Sequence, residues 1–587
     1  MFTPLPIETQ EIETHETDTR TPAVPASGIV PADGSANAER TLPIEEYGML
    51  GDGESCALIG RDGSIDWLCW PRLDSPALFA SLLGGTENGR WIIEADGPAE
   101  IERRYEDDSM VLETEHRTRS GAVLVRDFLC SGEERALIRT VTGLWGSVDM
   151  RSELVVRGDY GRTVPWVERI GEDRWRMTAG PEKVILTSPV AMRGEDLRTR
   201  GAFTVEGGEE VAFTLSHAGG DEEDGDPVDT DRALAETRAH WAEVAARIAL
   251  PETLPTRWTS VMRRSLLTLK ALCNERTGAM AAAATTSLPE TPGGERNWDY
   301  RYCWLRDSAL VASTFLRTGL SREAEAWRHW LVRTVAGSPD QLQIMYGLGG
   351  ERVLNEWNVD WLDGYDDASP VRVGNAAMDQ FQLDVFGEVA DALTEGESAG
   401  QPVHRQIENY KSVVLDFLRE AWRRPDEGIW EVRGDRQHFV HSKVMAWLGF
   451  LPADDPRVGG TVARIEADLL ENGLVKRYDT EPGHDGLEGE EGVFLLCSFW
   501  LVEVYAVQGR LDEAVALFDR LLGLANDLGL LAEEIDGRDG TMLGNFPQAF
   551  SHAGLVNAGL TIAARMQEAR PAREADCAAA TDLPLAA

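Results

Sequence analysis

Apolar residues recur along this chain with two different periods, and the period changes once. From 44 to 215 short apolar runs alternate with glycine turns: Gly-Asp-Gly stands at 51–53, Arg-Asp-Gly-Ser at 61–64 joins two such runs, and others fall at 110–114, 122–128, 154–156, 183–187, 202–205 and 211–215. Frequent short strands with no long helical stretch between them predict an antiparallel β-sandwich. An acidic, glycine-containing loop at 219–231 closes that region. Beyond it apolar positions return every three or four residues. This predicts a linking helix at 233–249 and helices at 257–273, 307–318, 322–335, 376–393, 404–422, 436–450, 458–471, 493–508, 511–526 and 548–565. So many helices point to a closed α/α toroid or a solenoid, and the lack of a residue-level repeat of fixed period counts against the solenoid. The expected division is a disordered acidic lead-in at 1–42, a β-sandwich domain at 43–232, a linker helix at 233–254, a helical domain at 255–566 and a disordered tail at 567–587.

Composition narrows the partners. With 587 residues and 43% hydrophobic content the chain can bury large cores in two domains or more. It has no run of 18 apolar residues, so no membrane partner is expected, and the Glu-, Thr- and Pro-rich start lacks the basic and apolar regions of a secretory signal. A cytoplasmic location is the expectation. A net charge of −43 argues against nucleic acid, whose phosphates need clustered Lys and Arg, whereas a neutral ligand is indifferent to it. The seven cysteines are odd in number and scattered, as buried free thiols in a reducing compartment would be. No spacing typical of metal ligands occurs, so no metal or other cofactor is expected.

Three loops carry candidate chemistry. Asp-Glu-Gly-Ile-Trp-Glu-Val-Arg-Gly at 426–434 sets Glu431 between Trp430 and a Val-Arg pair. Apolar walls disfavour the charged carboxyl and Arg433 favours it, so Glu431 suits a general acid if desolvation wins. The loop at 297–310 is dense in aromatics, including Trp298, Tyr300, Tyr302 and Trp304, and ends in Arg306-Asp307. Aromatic faces stack on sugar rings, and an Arg-Asp pair can hold vicinal hydroxyls. The structural alternative is that Asp307 only caps a helix starting at Ser308. At 530–540 the adjacent Glu533 and Glu534 follow an apolar run and precede Asn-Phe-Pro-Gln-Ala-Phe-Ser-His at 545–552. If the inner helices of a toroid all point one way, these loops share a rim and Asp307, Glu431 and Glu533 converge. Two carboxylates, an aromatic platform and a sugar clamp suit glycosidic bond cleavage.

These motifs resemble those of glycoside hydrolase family 15, the glucoamylases and their bacterial relatives, which include trehalases. The resemblance covers about 43–565 and rests on Gly-Asp-Gly-Glu-Ser-Cys-Ala-Leu-Ile-Gly-Arg-Asp-Gly-Ser-Ile-Asp-Trp from 51, Tyr-Cys-Trp-Leu-Arg-Asp-Ser-Ala-Leu from 302, Gly-Ile-Trp-Glu-Val-Arg-Gly from 428, Phe-Leu-Leu-Cys-Ser-Phe-Trp-Leu-Val-Glu from 494 and Leu-Gly-Asn-Phe-Pro-Gln-Ala-Phe-Ser-His from 543. It implies a super-β-sandwich followed by a catalytic (α/α)6 barrel, inversion at the anomeric carbon and no cofactor. By matching, Glu431 resembles the general acid and Glu533 the general base, although Ala-Glu-Glu leaves the choice between Glu533 and Glu534 open. Trp304, Arg306 and Asp307 resemble the first-subsite clamp, with Trp430, Arg477 and Glu534 as further substrate-binding positions. An inverting pair implies carboxyls about 6.5 to 9.5 Å apart, leaving room for water. The acidic stretch at 486–492 receives no role. A glucoamylase-like enzyme acting on α-glucans is the first reading and an α,α-trehalase the second. A glycoside phosphorylase is disfavoured because phosphorolysis needs no second catalytic carboxylate, and a silent sugar-binding protein is disfavoured by the paired carboxylates.

Overall fold

The change of period near 220 is a change of architecture. The computed structural model describes residues 41–581 except 133, 336, 403–404, 431–432, 440–451 and 479–490, with side chains of the last helix described through Ala569. From Tyr47–Gly51 to Glu210–Gly219, fifteen strands form one antiparallel network. The turn expected at 61–64 joins Cys56–Gly60 to Ser64–Cys69, and the Gly63 N–H donates to the Gly60 carbonyl at 2.9 Å. Ala136–Val155, 20 residues long, holds the two halves of the network together. Its first half pairs with Gly121–Leu129 and Glu210–Gly219, its second with Arg90–Ala95 and Arg198–Glu206. Gly121–Leu129, rich in Val, Leu and Phe, is buried on nearly every residue, whereas Arg174–Ala179 alternates half-buried and buried positions, as a strand with one covered face does.

Among the described residues, the helices that follow the strands are Thr230–Arg247, Thr256–Ala271, Leu305–Arg317, Ser321–Thr334, Asp384–Ser398, Arg405–Ala421, Pro456–Asp468, Leu495–Val507, Leu511–Leu522 and Ala549–Thr581. Leu495–Val507 is apolar almost all round and packs on both Leu511–Leu522 and the Ala549 helix. Leu511–Leu522 buries one stripe, Leu511, Ala514, Phe518 and Leu521, the pattern of an outer helix. Leu305–Arg317 packs between Asp384–Ser398 and the Ala549 helix.

Two expected elements differ. The helix placed at 376–393 starts at Asp384, because the Asn375 side chain accepts from the Ala377 N–H and closes a separate 3-10 turn at Ala376–Asp379. The disordered tail expected from 567 is instead helical to Thr581, in keeping with its alanine content. Most of the helix expected at 436–450 lies outside the described residues, as do residues 1–40 of the lead-in expected at 1–42. Among the described residues no helix is long and apolar enough to cross a membrane. Cys56, Cys69, Cys130, Cys273 and Cys303 are buried free thiols, and Cys497 is a half-buried one.

The strand region also braces the aromatic loop at 297–304. Arg301, fully buried, donates to Asp299 through Nε at 2.9 Å and Nη2 at 2.7 Å, and reaches across to the Ser75 carbonyl and the Tyr160 hydroxyl, both at 2.9 Å. The Trp67 indole N–H donates to the Ala284 carbonyl at 2.9 Å.

Candidate active site

The N-termini of three helices meet at one pocket. Trp304, Arg306 and Asp307 come from the start of Leu305–Arg317, Phe494 from the start of Leu495–Val507, and Gln548 and Phe550 from the start of the Ala549 helix; Tyr300, Trp430, Arg477 and Glu533 complete the lining. Beyond Arg306 and Phe550 a second, acidic cavity continues past Glu388, Asp391, Glu395 and Glu503.

A three-stranded ribbon, Val493–Phe494, Glu534–Ile535 and Met542–Leu543, presents the two adjacent glutamates. Successive side chains of an extended segment point to opposite sides, and the pair obeys that rule. Glu533 lines the pocket, its carboxylate accepting from the Asn545 N–H at 3.3 Å, while Glu534 turns away to accept from the Gly492 N–H at 2.8 Å. Two glycines make room. At Gly544, φ is +72° and a Cβ would stand 2.8 Å from Glu533 Oε2; at Gly492 a Cβ would stand 2.9 Å from Glu534 Oε2.

Asp307 is not a helix cap. The helix begins at Leu305 with Trp304 as its N-cap, which places Asp307 inside the first turn, 3.2 Å from Arg306. Burial pushes its carboxyl up to about 6 against the pull of Arg306. The Arg306 guanidinium lies between the Trp304, Trp430 and Phe550 rings at 5.2, 5.7 and 5.0 Å and donates to the Ile429 carbonyl. Among the described residues, Trp304 Nε1 and Arg306 Nε are buried and have no hydrogen-bond partner, while Asp307 Oδ2 faces Arg306 at 3.2 Å. Buried polar atoms are seldom left so, and two on residues that line one pocket suit the hydroxyls of a ligand.

Arg477 is held from below. It donates to Glu491 through Nε at 2.9 Å and Nη2 at 2.8 Å, and to Glu290 through Nη2 at 2.7 Å; Glu534 Oε1 is 3.6 Å away. Glu290, Glu491 and Glu534 are close enough together to suggest a cation site, but the guanidinium already occupies the midst of the trio. Burial pushes Glu290 up to about 7, and burial together with the Glu290 charge raises Glu533 and Glu534 well above the usual carboxylate range, against the pull of Arg477.

The pocket thus brings together Trp304, Arg306, Asp307, Trp430, Arg477 and Glu533. Glu534, expected among the substrate-binding residues, is not in the lining and lies 3.6 Å from Arg477. Glu431 lies outside the described residues, and with it the expected carboxyl separation. Its neighbour Trp430 packs on Phe494 and Trp500, ring centroids 5.0 and 6.0 Å apart, while Arg433 pairs with Glu356 at 3.0 Å and lies over Trp298. The sequence reading missed Glu290, Glu491, Gln548 and Phe550. Gln548 and Phe550 stand in the motif at 545–552, and Glu491 ends the acidic stretch left without a role; nothing at 285–296 marks Glu290.

Aromatic walls, unsatisfied hydrogen-bonding atoms and a buried carboxylate at converging helix N-termini are what a glycoside hydrolase needs to grip and cleave a sugar. The chain belongs to the glycosyl hydrolases family 15, whose model matches 257–455 and 445–560, while a trehalase-like N-terminal model matches 36–226. A trehalase of Mycolicibacterium smegmatis is 34% identical, covering 90% of this chain and 92% of its own length. A trehalase of Thermoplasma volcanium is 28% identical, covering 90% and 94%. Among solved structures, a bacterial glucoamylase complexed with acarbose superposes with a TM-score of 0.61 at 13% identity, covering 90% of this chain and 96% of that one. The architecture is therefore glucoamylase-like, with an antiparallel sheet domain followed by a helical part.

Proposed function

We propose that this enzyme is an inverting α,α-trehalase, with Glu431 as general acid and Glu533 as general base. The trehalase reading, second in the sequence analysis, gains from relatives bearing that name that match nearly the whole chain, including its N-terminal region. The observation that carries a sugar hydrolase is the pocket itself: Glu533 lines it with Trp304, Arg306 and Asp307, and among the described residues Trp304 Nε1 and Arg306 Nε have no hydrogen-bond partner. The reading places the two catalytic groups within a division at about 43–232 and 255–566, the second an (α/α)6 barrel.

In this mechanism Glu431 gives its proton to the glycosidic oxygen as the bond to the anomeric carbon breaks. Glu533 takes a proton from a water that attacks that carbon from the opposite face. One glucose leaves with its α configuration and the other is formed as β; proton exchange with solvent returns the pair to its starting state. Glu533 must be ionised for this, which Arg477 favours and burial opposes. Arg306 and Asp307 hold the hydroxyls of the reacting sugar.

A glucose-release assay across trehalose, maltose, isomaltose, maltooligosaccharides and dextran tests the substrate, and NMR of fresh product tests the stereochemistry. Trehalose should be the preferred substrate and yield equal α- and β-glucose at early times. Preference for maltooligosaccharides would establish the glucoamylase-like reading, and α-glucose alone would mean retention.

A further inference from the structure

We propose that Glu290 and Glu491, with Glu534 behind them, are positioning residues: they fix the Arg477 guanidinium beside Glu533 and supply the negative charge against which that base ionises. The proposal rests on reading Glu533 as the base.

The geometry is specific. Glu491 takes the Nε and Nη2 edge of Arg477 in the side-on, two-bond arrangement that fixes a guanidinium plane, and Glu290 takes a second bond from Nη2. None of these bonds uses Nη1. The guanidinium lies 5.2 Å from the Phe494 ring, and Arg477 and Phe494 both line the pocket, so the plane is fixed with one nitrogen left for substrate. The three carboxylates come from separate segments and are 1%, 8% and 0% exposed. The segments are tied to each other by backbone: the Gly492 N–H lies 3.1 Å from the Glu290 carbonyl, and the Gly544 N–H donates to the Pro289 carbonyl at 2.8 Å. Among the described residues, Glu290 Oε1 and Glu534 Oε1 accept no hydrogen bond, and three carboxylates face the one Arg477 guanidinium.

Among the described residues, the groups facing Glu533 are Glu290 and Asp307, whose charges oppose its ionisation, Arg477 and the Asn545 N–H, which favour it, and its neighbour Glu534. Arg296, 3.7 Å from Glu491, adds a second cation to the cluster and also pulls the Glu290 carboxyl down. Removing the Glu290 charge therefore eases the ionisation of Glu533 while loosening Arg477. Because the carboxylates titrate together, the pH profile reports the cluster rather than one residue.

The test is steady-state kinetics on trehalose across pH for Glu290→Gln, Glu491→Gln and Glu290→Asp, with thermal midpoints as a folding control. Loss of one charge-assisted bond should raise KM about tenfold in either Gln variant. Glu290→Gln should also move the acidic limb about one unit to lower pH, and Glu290→Asp, which keeps the charge, should restore the limb. Variants with a lowered midpoint but wild-type KM and acidic limb would overturn the proposal, leaving these groups a purely structural role. Should Glu290→Gln fail to fold, Glu290→Asp and Glu491→Gln still decide it through KM. Failure of the underlying reading looks different: Glu533→Gln would then keep its turnover, whatever the Glu290 variants do.

Discussion

Arg301 and Arg477 are both buried arginines in this protein, and they are surrounded in opposite ways. Arg301 meets one carboxylate. Asp299 receives two of its bonds and one from the Gly374 N–H, the Ser75 carbonyl and Tyr160 hydroxyl take others, and the group ties the sheet region to the aromatic loop. Arg477 meets three carboxylates, two of which keep an oxygen without a hydrogen bond among the described residues. A one-to-one, fully bonded pair neutralises itself and serves as a bracket. An excess of buried carboxylate leaves protons to be shared near neutrality, which is costly as structure and useful beside a base.

The comparison breaks most sharply at the base. Glu533→Gln should lower turnover by about 10² to 10⁴-fold with folding intact, the usual worth of general acid or base catalysis. Glucosyl fluoride, whose leaving group needs little protonation, should rescue Glu431→Gln and not Glu533→Gln. Glu534→Gln, on the far side of the ribbon, should keep most of its turnover; a loss equal to that of Glu533→Gln would mean the two have exchanged roles.

At the bracket the effect should fall on stability. Arg301→Met leaves Asp299 buried without its cation, a change worth about 3–5 kcal/mol. Urea titration should show that loss, and the fraction still folded should keep a wild-type KM. A raised KM with unchanged stability would place Arg301 in the site.

The pH dependence of stability sharpens the contrast next. Glu290 is raised to about 7, so the folded state holds its proton more tightly than the unfolded chain does. That contribution is complete below the unfolded carboxylate value of about 4.3 and is lost as pH rises through about 7. Thermal midpoints should therefore fall between pH 5 and pH 8, and Glu290→Gln, which carries no proton to lose, should flatten the fall. An unchanged slope in that variant would remove Glu290 as its source.

Much of this was legible in the sequence because it is local. Alternating apolar runs and helical spacing are properties of neighbouring residues, and Trp304, Arg306, Asp307 and Glu533 sit in motifs that mark themselves by aromatics or paired charges. The choice between Glu533 and Glu534 was not legible, since it depends on which face of the Glu534–Ile535 strand meets the pocket, a matter of pairing with Val493–Phe494. Glu290 left no mark either. Its partner Arg477 is 187 positions away in the chain, and contacts remote in sequence, such as the backbone ties at Gly492 and Gly544, bring them together. The start of the Asp384–Ser398 helix was misplaced for a similar reason: a side chain-to-backbone bond at Asn375 outweighed the apolar period that follows.

The smallest expected effect is at a glycine. Gly544 sits at φ +72°, where an L side chain costs roughly 1–2 kcal/mol. A Cβ there would also stand 2.8 Å from both Cβ and Oε2 of Glu533, so part of the strain can be relieved only by moving the carboxylate. Gly544→Ala should thus lose about 1–2 kcal/mol in a urea titration and also lower turnover. Gly492→Ala separates the two contributions. Gly492 has no positive φ and crowds Glu534 instead, at 2.9 Å, so its effect should reach substrate binding through the Arg477 cluster before it reaches turnover. If both alanine variants lowered stability and left kcat and KM at wild-type values, the ribbon would tolerate displacement of either glutamate, and the placing of Glu533 by its glycine would be refuted.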